Sequence, residues 1–170
     1  MNIADYIREI PDFPVPGILF KDITPLLKSP AAFRHVIDTL ARHYAERAID
    51  AVIGIEARGF LVAAPLALHL GKPLVPVRKA GKLPLETLKA KYALEYGYEE
   101  VEVHTDAIEP GQRVLVVDDV LATGGTLEGT AKLVERCGAT VAGIGVLLEL
   151  AELRGRERLK GYRLESLLQV

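Results

Sequence analysis

The chain of 170 residues contains one cysteine, Cys137. No internal disulfide can form, which favours a reducing, cytosolic setting. An excess of positive charge is also missing: 21 Lys and Arg face 23 Asp and Glu, for a formal net charge of -2. That excludes the broad basic field needed for non-specific nucleic-acid binding, and the six tyrosines show no RNA-binding pattern. Long apolar runs are absent. The longest, Phe60 to Leu70, includes His69 and falls well short of the ~20 residues that cross a bilayer. The opening "MNIADYIREIPDFPVPG" lacks the basic start and apolar centre of a signal peptide. There is no repeat and no low-complexity tract. A single soluble, cytoplasmic domain is expected over 1–170, with a real core and neither a nucleic-acid nor a membrane partner.

What is present is a regular alternation of segments. Residues 2–9 predict a short amphipathic helix stopped by Pro11. Residues 12–27 carry prolines at 14, 16 and 25 and read as an irregular, functional loop. Phe33, Val36, Ile37, Leu40 and Tyr44 follow helical spacing over 30–47. "AVIGI" (51–55), "PLVPV" (73–77), "RVLVVDDV" (113–120) and "TVAGIGVLLEL" (140–150) read as buried strands. Helices are predicted over 59–70, closed by Gly71, and over 126–138, closed by Gly138. Residues 78–90 read as a mobile basic loop, 91–96 and 99–104 as a hairpin, and the charged stretch 151–160 as the approach to a short last strand. Strands alternating with helices predict an α/β fold with a mostly parallel sheet flanked by helices. Ligands of such sheets bind beyond the carboxyl ends of the strands, so loops 56–59, 78–90 and 118–126 are expected to meet.

Four stretches carry chemistry. In "VLVVDDVLATGGT" two carboxylates, Asp118 and Asp119, end a buried strand. The turn Ala122-Thr123-Gly124-Gly125-Thr126 follows and enters a helix. Glycines let successive N–H groups face one point, and the helix start adds positive potential. That suits a phosphate, and no lysine follows as a P-loop would require. A carboxylate accepts two hydrogen bonds from a diol, so the combination reads as a site for a ribose 5-phosphate. The competing reading, a capped turn with solvated aspartates, does not explain two carboxylates at a buried strand end. In "GIEARGF", Arg58 has the fork to hold a diphosphate oxygen, or else pairs with Glu56 at the surface. In "VRKAGKLP", Arg78, Lys79 and Lys82 form either a diphosphate clamp or a solvated loop. In "YALEYG", Glu95 and Tyr96 lie on a hairpin that can cover the site, Glu95 as a proton exchanger or as an exposed strand residue. His35, His43, His69 and His104 read as surface histidines, and Cys137 as a small buried apolar residue.

The acidic pair and its Thr-Gly-Gly-Thr turn resemble the phosphoribosyl-diphosphate signature of the type I phosphoribosyltransferases. Together, "FPVPGILFKDITPLL", "EARGF", "PVRKAGKLP", "LEYG" and "VVDDVLATGGT" resemble the adenine branch of that family, in the family's order, from about residue 12 to residue 130. The resemblance implies that Asp118 and Asp119 hold the ribose 2- and 3-hydroxyls and that Ala122 to Thr126 bind the 5-phosphate. A carboxylate near the ring, Asp119, would help stabilise positive charge at the anomeric carbon. Leu19 would meet the base edge through its backbone, Phe20 would stack on the purine, and Lys21 stands where arginine is usual. Val120 stands where leucine is frequent. Glu95 would be the acid/base near N7, with Tyr96 beside it in the lid.

The resemblance further implies adenine and phosphoribosyl diphosphate as substrates, AMP and diphosphate as products, and purine salvage as the setting. Mg²⁺ would be held through the diphosphate and ribose rather than by protein ligands alone. A homodimer is implied, with the apolar 58–70 helix contributing to its interface. Residues 1–30 would form a base-binding hood and 78–98 a lid. Two alternatives stand beside this reading. Phosphoribosyl-diphosphate-sensing regulators share the signature but add a DNA-binding segment, for which the acidic, proline-broken first 30 residues leave no room. Enzymes for hypoxanthine, guanine, xanthine or orotate lack the Phe-Pro-x-Pro-Gly segment.

Overall fold

The computed structural model of the protein describes residues 1–94 and 96–170; Glu95 lies outside the described residues. In chain order the elements are β1 (Arg8–Ile10), β2 (Phe20–Asp22), α1 (Thr24–Lys28), α2 (Pro30–Tyr44), β3 (Ala51–Ile55), α3 (Gly59–Leu70), β4 (Leu74–Lys79), β5 (Thr87–Ala93), β6 (Tyr98–His104), β7 (Arg113–Leu121), α4 (Gly125–Arg136), β8 (Thr140–Glu149) and β9 (Leu164–Gln169). Short 3₁₀ turns cover Ile3–Tyr6, Ala151–Leu153 and Gly155–Leu159.

One sheet runs in the order β5-β6-β4-β3-β7-β8-β9. The pairs β3–β4, β3–β7, β7–β8 and β8–β9 are parallel, while β6 joins β4 and β5 antiparallel. The α/β class and the mostly parallel sheet are therefore as expected. The chain passes from β3 to β4 on one side and later to β7 on the other, so the order reverses at β3. A crevice opens at such a reversal, beyond the carboxyl ends of the strands.

Helices cover both faces of the sheet because its central strands are apolar on both. All five residues of β3 are buried. One core gathers Ile53, Ile55, Val116 and Ile144 with Leu127, Leu133 and Val134 of α4. The other gathers Val52, Leu115, Val117 and Leu147 with Val36, Leu40, Tyr44, Val62 and Leu66 of α2 and α3. Helix α2 starts at Ser29, whose side chain accepts the N–H of Ala32, and Pro30 suits its first turn. Helix α3 sits tightly on β3 because Gly54 has no side chain; a Cβ there would lie 2.7 Å from that of Ala63. Gly71 ends α3 in the left-handed region at φ 63°. Only one face of α3 is buried: Leu61 and Leu68 are exposed.

Four local expectations are corrected. Residues 2–9 are not a helix: a 3₁₀ turn gives way to β1, whose backbone finds antiparallel partners in β2. The Arg8 guanidinium holds Asp22 at 2.6 Å, so a distant partner overrides local helical preference. Residues 12–27 are not wholly irregular: β2 and α1 lie within them, and the Asp22 carboxylate accepts the N–H and hydroxyl of Thr24 where α1 begins. Residues 78–90 are only partly loop. Strand β4 runs through Lys79 and β5 starts at Thr87. The buried carboxylate of Glu102 accepts the N–H groups of Lys82 and Leu83 and the Thr87 hydroxyl, which pins the turn between them. Cys137 is half-buried rather than buried. No helix among the described residues is long and apolar enough to cross a membrane.

Candidate active site

Strand β7 delivers Asp118 and Asp119 at its carboxyl end, beside the start of α3. Asp119 is 5% exposed, and its N–H donates to Oδ1 of Asp118 at 2.8 Å. Burial, and then the neighbouring Asp119 charge, push the Asp118 carboxyl well above the usual range. This approach is possible because residue 59 is glycine: a Cβ there would lie 2.6 Å from Oδ1 of Asp118. Arg58 places Nε 2.8 Å from Oδ2 of Asp119. Among the described residues that oxygen is buried without an aligned hydrogen-bond donor, so the pair is a charge contact rather than a formed hydrogen bond. The same guanidinium lies over the ring of Phe20, 5.1 Å from its centroid, and Phe13 meets Phe20 edge-on at 5.1 Å. Strand β2 thus hangs its aromatic side chain over the end of β7.

Loops 56–59, 78–90 and 118–126 do converge, through two different residues. Arg58 joins the first to the third, as above. Glu56 joins the first to the second: its carboxylate meets Lys82 Nζ at 2.5 Å, accepts the N–H of Lys79 at 2.5 Å and lies 3.4 Å from Arg78 Nε. Arg58 therefore does not pair with Glu56. Burial disfavours the charge of Glu56, but the hydrogen bonds from Lys82 and Lys79 outweigh it and hold the carboxyl below its usual range. The basic run is accordingly not a free solvated patch. Lys79 pairs with Glu99 on β6 at 3.1 Å.

The turn Ala122 to Thr126 is built around Gly124, whose φ is 86°. It surrounds a cavity of about 60 Å³ with Asp118 at its edge. Water occupies about 30 Å³ of the liquid, so this space suits one small anion. Gly125, Thr126 and Leu127, at the start of α4, belong to its wall. A larger groove of about 640 Å³ between α2 and α3 includes His35, Asp38 and His69 but brings no comparable set of donors to one point.

The support of this turn comes from the charged stretch 151–160, to which the sequence assigned no role. A Cβ at Gly124 would lie 2.6 Å from the carbonyl oxygen of Gly155, and one at Gly155 only 2.2 Å from that of Ala122. Arg158 reaches Glu128 in the first turn of α4 at 3.2 Å and the Ala93 carbonyl at 3.4 Å. The sequence signal was a lone glycine between charges, "LRGRERL", which by itself resembles any turn.

Other expected site residues lie at the margin. Leu19 and Tyr96 are exposed, the latter at 87%. Lys21 is not brought into the crevice: successive strand residues face opposite ways, and its ammonium pairs with Glu9 on β1 while Phe20 faces Arg58. Glu95 lies outside the described residues. Asp118 and Asp119 are hard oxygen donors of the kind Mg²⁺ takes, although no group of three or more His, Cys, Asp or Glu among the described residues is arranged to hold a metal. The arrangement offers an anion cradle, two carboxylates beside it, an aromatic face and a set of cations.

The phosphoribosyl transferase domain family matches residues 22–168. An adenine phosphoribosyltransferase of Roseiflexus castenholzii is 58% identical over 169 residues, covering 99% of this chain and 98% of the relative. The crystal structure of adenine phosphoribosyltransferase from Thermoanaerobacter pseudethanolicus superposes with a TM-score of 0.96 at 54% identity, covering 99% and 98% of the two chains. That from Saccharomyces cerevisiae, complexed with D-2,5-dideoxy-2,5-imino-altritol 1,6-bisphosphate and adenine, gives 0.92 at 40% identity, covering 98% and 96%. Similarity of this extent, over nearly the whole length and with the signature residues in place, makes the chain a member of the adenine phosphoribosyltransferase family.

Proposed function

We propose that the protein transfers the 5-phosphoribosyl group of phosphoribosyl diphosphate to N9 of adenine, forming AMP and releasing diphosphate in purine salvage. The observation that carries this reading is the adjacency, at the end of β7, of the Asp118–Asp119 pair and the cavity within Ala122 to Thr126. A ribose 5-phosphate presents two hydroxyls and a phosphate, one for each part of that arrangement.

In this reading the backbone N–H groups and hydroxyls of residues 122–126 hold the 5-phosphate. Asp118 and Asp119 accept from the ribose hydroxyls. Arg58, Arg78, Lys79 and Lys82 neutralise the leaving diphosphate; Arg78 and Lys82 exchange their carboxylate partner Glu56 for it. Phe20 stacks on adenine, and Leu19 meets the base edge through its backbone. As diphosphate departs, positive charge grows on the sugar, and the carboxylate of Asp119 stabilises it. Glu95 takes the role of acid/base at the purine ring, with Tyr96 beside it. The 78–98 segment excludes water from the activated sugar, and residues 1–30 hood the base within a single domain of 1–170.

The donor set also fits Mg²⁺. The two aspartates offer hard oxygens, and Oδ2 of Asp119 is buried without an aligned donor. When bound, the ion neutralises diphosphate charge and favours its departure. A cytoplasmic homodimer completes the reading, with Leu61 and Leu68 of α3 exposed at the surface a second copy would cover.

The test is incubation with Mg²⁺, phosphoribosyl diphosphate and each purine base in turn. Only adenine should be converted. Conversion of hypoxanthine or guanine at a similar rate would defeat the assignment.

A further inference from the structure

Two glycines of α4 face one aromatic ring. A Cβ on Gly125 would lie 2.8 Å from Cδ2 of Tyr92, and one on Gly129 would lie 3.2 Å from its Cδ1. Gly129 is inside the helix and does not have a positive φ, so its backbone does not demand glycine. Glycine there costs about 1 kcal/mol of helix preference relative to alanine. What it provides is a seat for the ring. Tyr92 lies on β5, 6% exposed, three residues before Glu95. Its hydroxyl donates to Oε2 of Glu99 at 2.6 Å, and Oε1 of Glu99 accepts from Lys79 Nζ at 3.2 Å. A continuous path therefore leads from the first turn of α4, which walls the anion cavity, to a cation of the basic run. Neither Tyr92 nor Glu99 was singled out by motif.

We propose that Tyr92 is a positioning residue that couples the 5-phosphate cradle to Lys79, so that a sugar phosphate and a diphosphate bind cooperatively. The inference rests on the site reading above. The ring is packed closely enough on Gly125 that movement of the cradle turn displaces it. The phenol fixes the rotation of the Glu99 carboxylate, and that carboxylate fixes the ammonium of Lys79. Two anions repel each other, and a link of this kind works against that repulsion beside any shared Mg²⁺. Linkage makes the effect reciprocal.

The dissociation constant of inorganic diphosphate is measured calorimetrically on the full chain with Mg²⁺, without and with saturating ribose 5-phosphate. In the unaltered protein, ribose 5-phosphate should tighten diphosphate binding by about fivefold or more, at the lower end of typical coupling. Tyr92→Phe keeps the ring and should bind ribose 5-phosphate alone as before, while the ratio falls to near one. Glu99→Gln should lose the same ratio, and the double variant should lose no more. A ratio of one in the unaltered protein, or an undiminished ratio in either single variant, would overturn the coupling. Failure of the unaltered protein to bind either ligand would overturn the site assignment itself, and the coupling with it.

Discussion

The guanidinium of Arg58 lies between the ring of Phe20 and the carboxylate of Asp119, 5.1 Å from the ring centroid and with Nε 2.8 Å from Oδ2. One cation thus joins the strand that presents the aromatic face to the strand that presents the acidic pair. Replacing Arg58 by alanine leaves Asp119 buried beside no cation and removes the support under Phe20. Removing the cation from beside a buried carboxylate leaves that charge uncompensated, which destabilises the fold. The expected result is a lower melting temperature together with weaker adenine binding, read from thermal unfolding and from the KM for adenine. An unchanged KM would separate the hood from the acidic pair.

Asp118 sets activity against stability. Its pKa is raised by burial and by Asp119, so its ionised form destabilises the ligand-free fold. A carboxyl raised above its unfolded value contributes nothing while protonated in both states. The penalty grows as pH rises above the ordinary value of 3.8. Asp118→Asn should therefore melt higher than the unaltered protein at neutral pH, with the difference vanishing near pH 3.8 and below. The double variant with Asp119→Asn should show no turnover. A fully active double variant would sink the diol assignment.

The cradle is supported from behind by Gly155. A Cβ at that position would meet the Ala122 carbonyl at 2.2 Å, so Gly155→Ala must displace one of the two turns. Overpacking of this kind costs about 1–3 kcal/mol, and each kcal/mol lowers Tm by about 2–4 °C in a chain of this size. The KM for phosphoribosyl diphosphate should rise while that for adenine changes little. Equal effects on both would point to general loosening instead.

Glu149 provides a pH signature for the far end of the sheet. Hydrogen bonds from Arg156 dominate, with burial opposing them, and the carboxyl is held down at about 2. A depressed carboxyl stabilises above its unfolded pKa and loses that contribution as pH falls from about 4.5 to about 2. Glu149→Gln should be less stable at neutral pH by no more than about 3 kcal/mol. Urea unfolding at pH 7 and pH 2 checks this: the gap should close at the lower pH.

For Glu95 the expected signature is kinetic. Glu95→Gln should lower turnover by about 10²–10⁴-fold, the usual range for a positioned acid or base. Binding of phosphoribosyl diphosphate should change far less. Equal activity would remove Glu95 from the chemistry.

Much of the frame was legible because burial on both faces leaves a continuous apolar run. "AVIGI" and "VLVV" are short and rich in β-branched residues, which favours buried strands over helices. The helices were legible from the spacing of Val36, Leu40 and Tyr44 and from the terminating Gly71. The first 28 residues were not. Strands β1 and β2 are three residues each and exist through pairing with one another, a long-range event that leaves no periodic trace.

In the site, residue types that announce their chemistry locally were legible: Asp118, Asp119 and the turn after them. Their partners were not. Glu56 and Arg58 are two residues apart, yet one serves the basic run and the other serves Asp119. Lys21, adjacent to Phe20, faces Glu9 because strand side chains alternate.

The sequence by itself determined the central strands, the anion turn and the acidic pair, because apolar runs, glycines and adjacent carboxylates act through their immediate neighbours. Only the tertiary structure decided which charge answers which, that Gly155 supports the cradle, and that Tyr92 rests on Gly125 and Gly129. Those relations join residues tens of positions apart, and their energies depend on distance and burial once the sheet has closed, which no local pattern encodes.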